Sequence, residues 1–263
     1  MNEGGFCELT RGADVGRPCY LVPRWRALPC RHGFGIRDVS LAAYVGPGVW
    51  KMPETRQVHG TTVHRLTRHD PIQIRVGDAF VTDIPGMVCA VRTADCVPIL
   101  LCAPPRGVVG AVHAGWRGVA AGIVTATVSA LAAWFHVLPS QLEVAIGPAI
   151  GREDYEVDHA VHRALRATGL ELEAALTPSR QGHWWCDLRQ LLCQELMRLG
   201  VAPTSVTCST LSTFQRPGEF HSYRRTPLHT GRQVSFITWS ALRSTFDTAA
   251  GPSGRPDRGV RRW

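Results

Sequence analysis

Residues 79–118 read AFVTDIPGMVCAVRTADCVPILLCAPPRGVVGAVHAGWRG, and this stretch decides the fold. Apolar runs at 79–82, 87–92, 97–102 and 108–113 are short, rich in Val, Ile, Leu and Cys, and separated by turn residues, as strands are. Pro104-Pro105-Arg106-Gly107 is a turn. Connections this short exclude crossover helices between successive strands, so the pattern predicts an antiparallel or mixed sheet rather than βαβ units. The period changes past Gly115 and Gly118, which make the strand-to-helix turn. Val119, Ile123, Thr127, Ala130, Leu131 and Trp134 recur at spacings of three and four and predict a helix over 117–134.

Working outward, residues 32–36 and 55–66 read as strands, with a Gly/Pro-rich loop over 40–53 between them. Downstream, a strand is expected at 142–147 and a helix at about 157–168, ending at Gly169. A further helix spans about 188–199, with Asp187 and Gln190 as a capping-box-like start and Gly200 as its stop. Its buried stripe is Leu188, Leu191, Leu192, Leu196 and Leu199. Strands near 204–208, 220–224 and 232–238 complete the chain. Strand clusters interrupted by a few long helices predict an α+β fold, one domain over 19–246 with mixed or antiparallel sheets. Residues 1–18 read as a flexible N-terminus, and 247–263 as a disordered Arg-rich tail.

A chain of 263 residues buries enough surface to fold without staples. No apolar run approaches the ~20 residues of a membrane span. Glu3 and Glu8 stand where a signal peptide would be basic, which implies a cytoplasmic protein. The nine cysteines are odd in number and form no Cys-x-x-Cys, which argues against a disulfide framework. Cys89, Cys102, Cys193 and Cys208 read as buried small hydrophobes. The net charge of +8 rests on 28 arginines and one lysine, Lys51, and suits anionic substrates such as phosphate better than a membrane or a specific nucleic acid.

Three residues carry the chemistry. His59 sits in Gln57-Val58-His59-Gly60, Cys96 in Thr93-Ala94-Asp95-Cys96, and His113 in His113-Ala114-Gly115-Trp116-Arg117-Gly118. Each alone admits a plain account: His59 a surface residue on a strand where Gln57, His59 and Thr61 share a face, Cys96 a buried thiol, His113 a packed ring before a glycine turn. Together they are the ligand set of a three-coordinate catalytic zinc with a fourth position open. The thiolate offsets part of the metal charge, and the remaining Lewis acidity lowers the pKa of a bound water toward ~7. Copper accepts the same ligands. A four-copper oxidase, however, draws on many histidines in His-x-His pairs, and this chain has eleven histidines and no such pair. A thiol nucleophile at Cys96 with His113 as base is also open.

These motifs are joined, in order, by Asp78-Ala79-Phe80-Val81-Thr82, Ile146-Gly147-Pro148-Ala149-Ile150-Gly151, Tyr155-Glu156-Val157 and Ser222-Tyr223-Arg224-Arg225. The set resembles the laccase-domain family, also labelled multicopper polyphenol oxidoreductase (the YfiH-like proteins), over about residues 30–240. The resemblance implies an α+β fold related to proteins assigned as cysteine hydrolases. It implies one zinc held by His59, Cys96 and His113, with copper as the alternative. It further implies phosphorolysis of adenosine, inosine, guanosine and methylthioadenosine, and deamination of adenosine. The expected partners are purine nucleosides and inorganic phosphate, for a monomer or homodimer. Two departures stand out: the family's longer segment before Gln57 is reduced here to Arg37, Ser40, Leu41 and a short loop, and Ala149 replaces a common cysteine. The shortening leaves room for a degenerate member that binds a nucleotide or partner without turnover.

For deamination, an activated water would attack C6 of adenine while Asp95 or Asp78 moves the proton, although either could instead cap a turn. For phosphorolysis, phosphate would attack C1′ of the ribose. Arg37, Arg117 and Arg225 are the candidates for holding it, since a guanidinium fork matches phosphate oxygens. Phe34, Gln57 and Asp78 complete the expected substrate wall, with Phe34 stacking on the base or lying in the core.

Overall fold

The computed structural model describes residues 8–14, 16–45, 55–68 and 74–240. The chain folds as a single α+β domain around a six-stranded mixed sheet. Its order is Val206–Cys208, Glu143–Ile146, Val97–Ala103, Val108–Ala114, Ala79–Thr82 and Val63–Arg65, with the two outer pairs parallel and the inner ones antiparallel. All seven residues of Val97–Ala103 and of Val108–Ala114 are buried, which explains their almost unbroken apolar sequence: both faces are covered.

Alternation along the strands assigns the faces. Ile99, Leu101, Val112, Val144 and Ile146 point to one side, where they meet Ile123, Val128 and Leu131 of the helix Ile123–Phe135 and Leu191, Leu192 and Leu196 of the helix Leu188–Arg198. Leu100, Ala111, Phe80 and Ala145 point to the other. There they meet Phe34, Val91 and Ile237 of a second, five-stranded antiparallel sheet. That sheet runs Thr10–Asp14, Arg17–Leu21, Cys30–Gly35, Gln233–Trp239 and Val88–Thr93. Tyr44 stacks on Phe236 at 5.0 Å and covers its outer face. Truncating a fully buried side chain of either layer, Leu100→Ala for example, costs about 2–5 kcal/mol.

The strands quoted first are therefore divided between two sheets. Val88–Thr93 belongs to the five-stranded one, and the chain crosses to the six-stranded one through Ala94, Asp95 and Cys96. Several other expectations are corrected. The helix over 117–134 is two helices, Trp116–Ala120 and Ile123–Phe135, separated by Gly122 at φ 80°. Its buried stripe runs through Val124 and Val128 rather than Ala130, and Trp134 is exposed. The strand over 55–66 survives only as Thr55–Arg56 and Val63–Arg65, and 220–224 forms turns. Thr10–Asp14 pairs with Arg17–Leu21 at the sheet edge, so the ordered fold begins upstream of residue 19. A small sheet of Glu156–Asp158, His183–Cys186 and Leu176–Pro178 was not visible in the pattern. Part of the 40–53 loop and the whole 247–263 tail lie outside the described residues. No helix among the described residues is long and apolar enough to cross a membrane.

Candidate metal centre and its cleft

His113, Cys96 and Asp78 share one end of the six-stranded sheet, on the side facing the second sheet. His113 lies near the end of Val108–Ala114, Cys96 just before Val97–Ala103, and Asp78 just before Ala79–Thr82. His59 reaches the same place from the loop between Thr55–Arg56 and Val63–Arg65. The ligand atoms of His59, Cys96 and His113 all lie within 4.8 Å of one another. The two imidazoles meet edge to face at 4.7 Å between centroids.

Asp78 organises this arrangement. It is fully buried. Its Oδ1 lies 2.8 Å from His113 Nδ1 and accepts the backbone N–H of His59 at 3.0 Å. Its Oδ2 accepts the backbone N–H of Gly60 at 2.8 Å and of Val58 at 3.2 Å. One carboxylate thus fixes the ring of one ligand and the backbone that carries another. With His113 Nδ1 committed to Asp78, Nε2 is the nitrogen that faces Cys96 and His59. This carboxylate–imidazole pairing is how metal-bound histidines are commonly oriented.

His59 has φ 60°, an uncommon conformation for a non-glycine residue, and the Asp78 hydrogen bonds on either side of it hold the turn. Gly115 leaves room for the His59 ring. A Cβ there would fall 2.5 Å from His59 Nδ1 and 3.1 Å from Cys96 Sγ. Burial works to raise the Cys96 thiol, but hydrogen bonds from His113 and His59 outweigh it and bring it down to about 6. Burial likewise works to lower His113, but Asp78 and Cys96 raise it to about 9. Both shifts favour a thiolate at Cys96 beside a protonated His113. A divalent cation replacing that proton satisfies the same sulfur and nitrogens, so the donor set fits a metal. Among the described residues it is the one group of three such ligands, which supports a single ion rather than a multi-copper array.

The centre lies in a cleft of about 1100 Å³ lined by Gln57, Asp95, Trp116, Arg117, Tyr155 and Tyr223 among others. Gln57 is spent on position: its side-chain amide donates to the Arg92 carbonyl and accepts the Arg92 N–H, both at 2.8 Å. Asp95, at φ 84°, accepts from Thr213 Oγ1 (2.7 Å), Ser222 Oγ (3.0 Å) and the Arg224 N–H (2.7 Å). It ties the crossover between the sheets to the 209–225 loop, as a turn cap does.

Four expected wall residues are placed elsewhere. Asp78 stands behind His113 rather than in the cleft. Phe34 is core, its ring packed against Gly147, where a Cβ would fall 2.2 Å from its Cδ1. Arg37 is outside the cleft, paired with Asp38 at 3.0 Å. Arg225 gives its guanidinium to the carbonyls of Thr213, Phe214 and Phe220. Its neighbour Arg224 lines the cleft instead, 5.1 Å over the Tyr155 ring. Arg117 does face the cleft, 4.3 Å over the Trp116 ring. Sequence reasoning passed over Arg56, Arg92, Arg232, Trp116 and Tyr223 as lining groups. The signal for Trp116 and Tyr223 was present, since both lie inside motifs already singled out.

Comparison with known proteins agrees with this geometry. Residues 38–240 match the family model described as multi-copper polyphenol oxidoreductase laccase. The chain is 39% identical over 174 residues to a purine nucleoside phosphorylase of Xylella fastidiosa (strain 9a5c), an alignment that spans 65% of each chain, just under two thirds of that relative. It is 38% identical over 181 residues to purine nucleoside phosphorylase YfiH of Escherichia coli (strain K12), covering 69% of this chain and 71% of the other. The crystal structure of the Bacillus licheniformis hypothetical protein YfiH superposes with a TM-score of 0.74 at 26% identity, covering 84% of this chain and 96% of that one. The chain belongs to the YfiH-like, multi-copper polyphenol oxidoreductase laccase family.

Proposed function

We propose that this protein is a zinc-dependent purine nucleoside phosphorylase with adenosine deaminase as a second activity. The observation that carries the reading is the meeting of His59, Cys96 and His113 on a cleft walled by aromatic rings and guanidinium groups. The names of the relatives at 38–39% identity support the phosphorylase part of it. Zinc at these residues would supply Lewis acidity and a water of lowered pKa.

The chain's own groups have separable tasks. Exposed Tyr223 offers an open face on which a purine stacks, beside Trp116 and Tyr155, whose rings carry Arg117 and Arg224. Arg117, exposed and facing the cleft, holds hydrogen phosphate for attack on C1′; the new C1′–O bond forms as the bond to the purine nitrogen breaks, and the base leaves with the proton that the phosphate gives up. Arg224 is the second cation of that wall, with Arg225 behind it as a structural support. For deamination, Asp95 is the lining carboxylate available for proton movement, and it already accepts three hydrogen bonds. The cleft therefore favours phosphorolysis. Adenosine, inosine, guanosine and methylthioadenosine are the substrates to try.

Product analysis of adenosine with and without phosphate tests the reading. Phosphate-dependent adenine reports phosphorolysis and phosphate-independent inosine reports deamination. The purified protein should hold about one zinc per chain, and His113→Ala should lose both metal and turnover. Full activity in the metal-free protein overturns the role of zinc and returns Cys96 as a thiol nucleophile. The family's description keeps copper as the competing ion. Stoichiometric copper with oxygen uptake on a phenol, and no nucleoside products, would decide for that reading.

A further inference from the structure

The cleft holds more positive charge than one phosphate ion uses. Arg56, Arg92, Arg117, Arg224 and Arg232 line it, and none of the five forms an ion pair with a carboxylate among the described residues. Outside the cleft, eight arginines pair with Asp or Glu within 3.5 Å, while Arg17, Arg26, Arg106, Arg152, Arg163, Arg166, Arg198 and Arg225 do not among the described residues; what sets the five apart is that they line one cleft. The lining carboxylate, Asp95, already holds Thr213, Ser222 and the Arg224 amide. Two guanidinium groups suffice for one phosphate.

The five are also divided in space. Arg117 and Arg224 lie over the Trp116 and Tyr155 rings, on the side built from the helix Trp116–Ala120 and the 151–155 segment. Arg92 and Arg232 belong to the five-stranded side. Arg92 bonds the Thr55 carbonyl at 3.1 Å, and Arg232 bonds the carbonyls of Thr230 and Gly231. Both also line an adjoining hollow of about 580 Å³, so they form a partition between it and the cleft. One wall suits the attacking phosphate, and the opposite wall has no anion in the reaction of a neutral nucleoside.

We propose that the cleft binds purine nucleoside monophosphates, with the ester phosphate on the wall of Arg92 and Arg232. This rests on the purine-site reading above. A phosphate ester brings a charge of about −1.5 to −2 at pH 7 and three acceptor oxygens, matching two forked donors. The arginines stand on two walls of one cleft, a spacing that fits a mononucleotide with one phosphate on the second wall.

Calorimetric titration of the zinc-loaded full chain in phosphate-free, low-salt buffer tests this with adenosine, adenosine 5′-monophosphate, ribose 5-phosphate and a short single-stranded RNA. The monophosphate should bind about tenfold more tightly than adenosine. That advantage should shrink to about threefold or less at high salt, where exposed charges are screened. It should shrink similarly in Arg92→Gln/Arg232→Gln, and partly in Arg232→Gln alone, since the Arg232 guanidinium bonds only the neighbouring carbonyls of Thr230 and Gly231 and its loss leaves the fold intact. Equal affinity for adenosine and its monophosphate overturns the proposal. So does ribose 5-phosphate binding as tightly as the monophosphate, or the RNA binding more tightly than either. Adenosine turnover is measured on the same sample. A protein that turns over adenosine without preferring the monophosphate keeps the proposed function and loses this inference, whereas one that prefers the monophosphate but turns over no nucleoside loses the proposed function.

Discussion

The two imidazoles of the centre are held in opposite ways. His113 is part of a strand whose seven residues are all buried, in a sheet covered on both faces. His59 is exposed, has a positive φ, and sits in a loop anchored by hydrogen bonds to Asp78 and, through Gln57, to Arg92. One ligand is placed by the core, the other by tethers. Such a site keeps half its geometry when the tethers fail, so damage should fall on metal affinity and loop order before it reaches the fold.

The contrast can be broken at its shared anchor. Asp78→Asn keeps the shape but loses the charge that gathers three amides and a ring, and metal affinity should drop about 10–100-fold. Titration with a competing chelator measures it; an unchanged affinity would mean that the tethers are idle. Gly115→Ala acts first on the tethered side, with a lesser approach of 3.1 Å to Cys96 Sγ. The new Cβ must displace the His59 ring, and overpacking of this kind costs about 1–3 kcal/mol, or roughly tenfold in metal affinity, with little change in melting temperature. A variant that melts far lower yet binds metal normally would contradict the division of labour.

Chelation sharpens the same comparison without mutation. Hydrogen exchange should quicken at 57–61 on metal removal and stay slow in Val97–Ala103 and Val108–Ala114. Quicker exchange in the strands would show that the core also depends on the ion.

The smallest effect concerns the loop that holds Asp95. Glu219 joins it to Arg11, Arg216 and Tyr20. Burial works to raise the Glu219 carboxyl, but the hydrogen bonds from Tyr20 and Arg216 and the charge of Arg11 hold it below the ordinary glutamate range. Its contribution is thus complete at neutral pH and fades as pH falls through that lowered value. Protection of the 216–220 amides, taken relative to their intrinsic exchange rate at each pH, should fall slightly in acid, and Glu219→Gln should remove the dependence.

The sheet and the centre were legible to different depths. The strands around Val97–Ala103 were readable because burial on both faces demands near-continuous apolar sequence. The ligand trio was readable because few other roles put one thiol and two imidazoles in glycine-flanked motifs. The loop at His59 was not: Gln57-Val58-His59-Gly60-Thr61 alternates as a strand would, and nothing in the residue types announces a positive φ at His59 or Asp95. The break in the long helix turns on Gly122, which a periodic pattern simply passes through. Arg224 and Arg225 exchanged roles because adjacent residues on a turn have no period to say which one points inward. Asp78 was assigned to the substrate wall, since sequence gives no means of telling the front of a histidine from its back.

The carboxylate behind His113 leaves a mark on how this protein can change over generations. Both nitrogen ligands depend on one side chain, so no exchange at position 78 adjusts one histidine while sparing the other. Variation that retunes the ion must therefore enter through Cys96 and its surroundings, or come as paired changes that first give the His59 loop an independent hold.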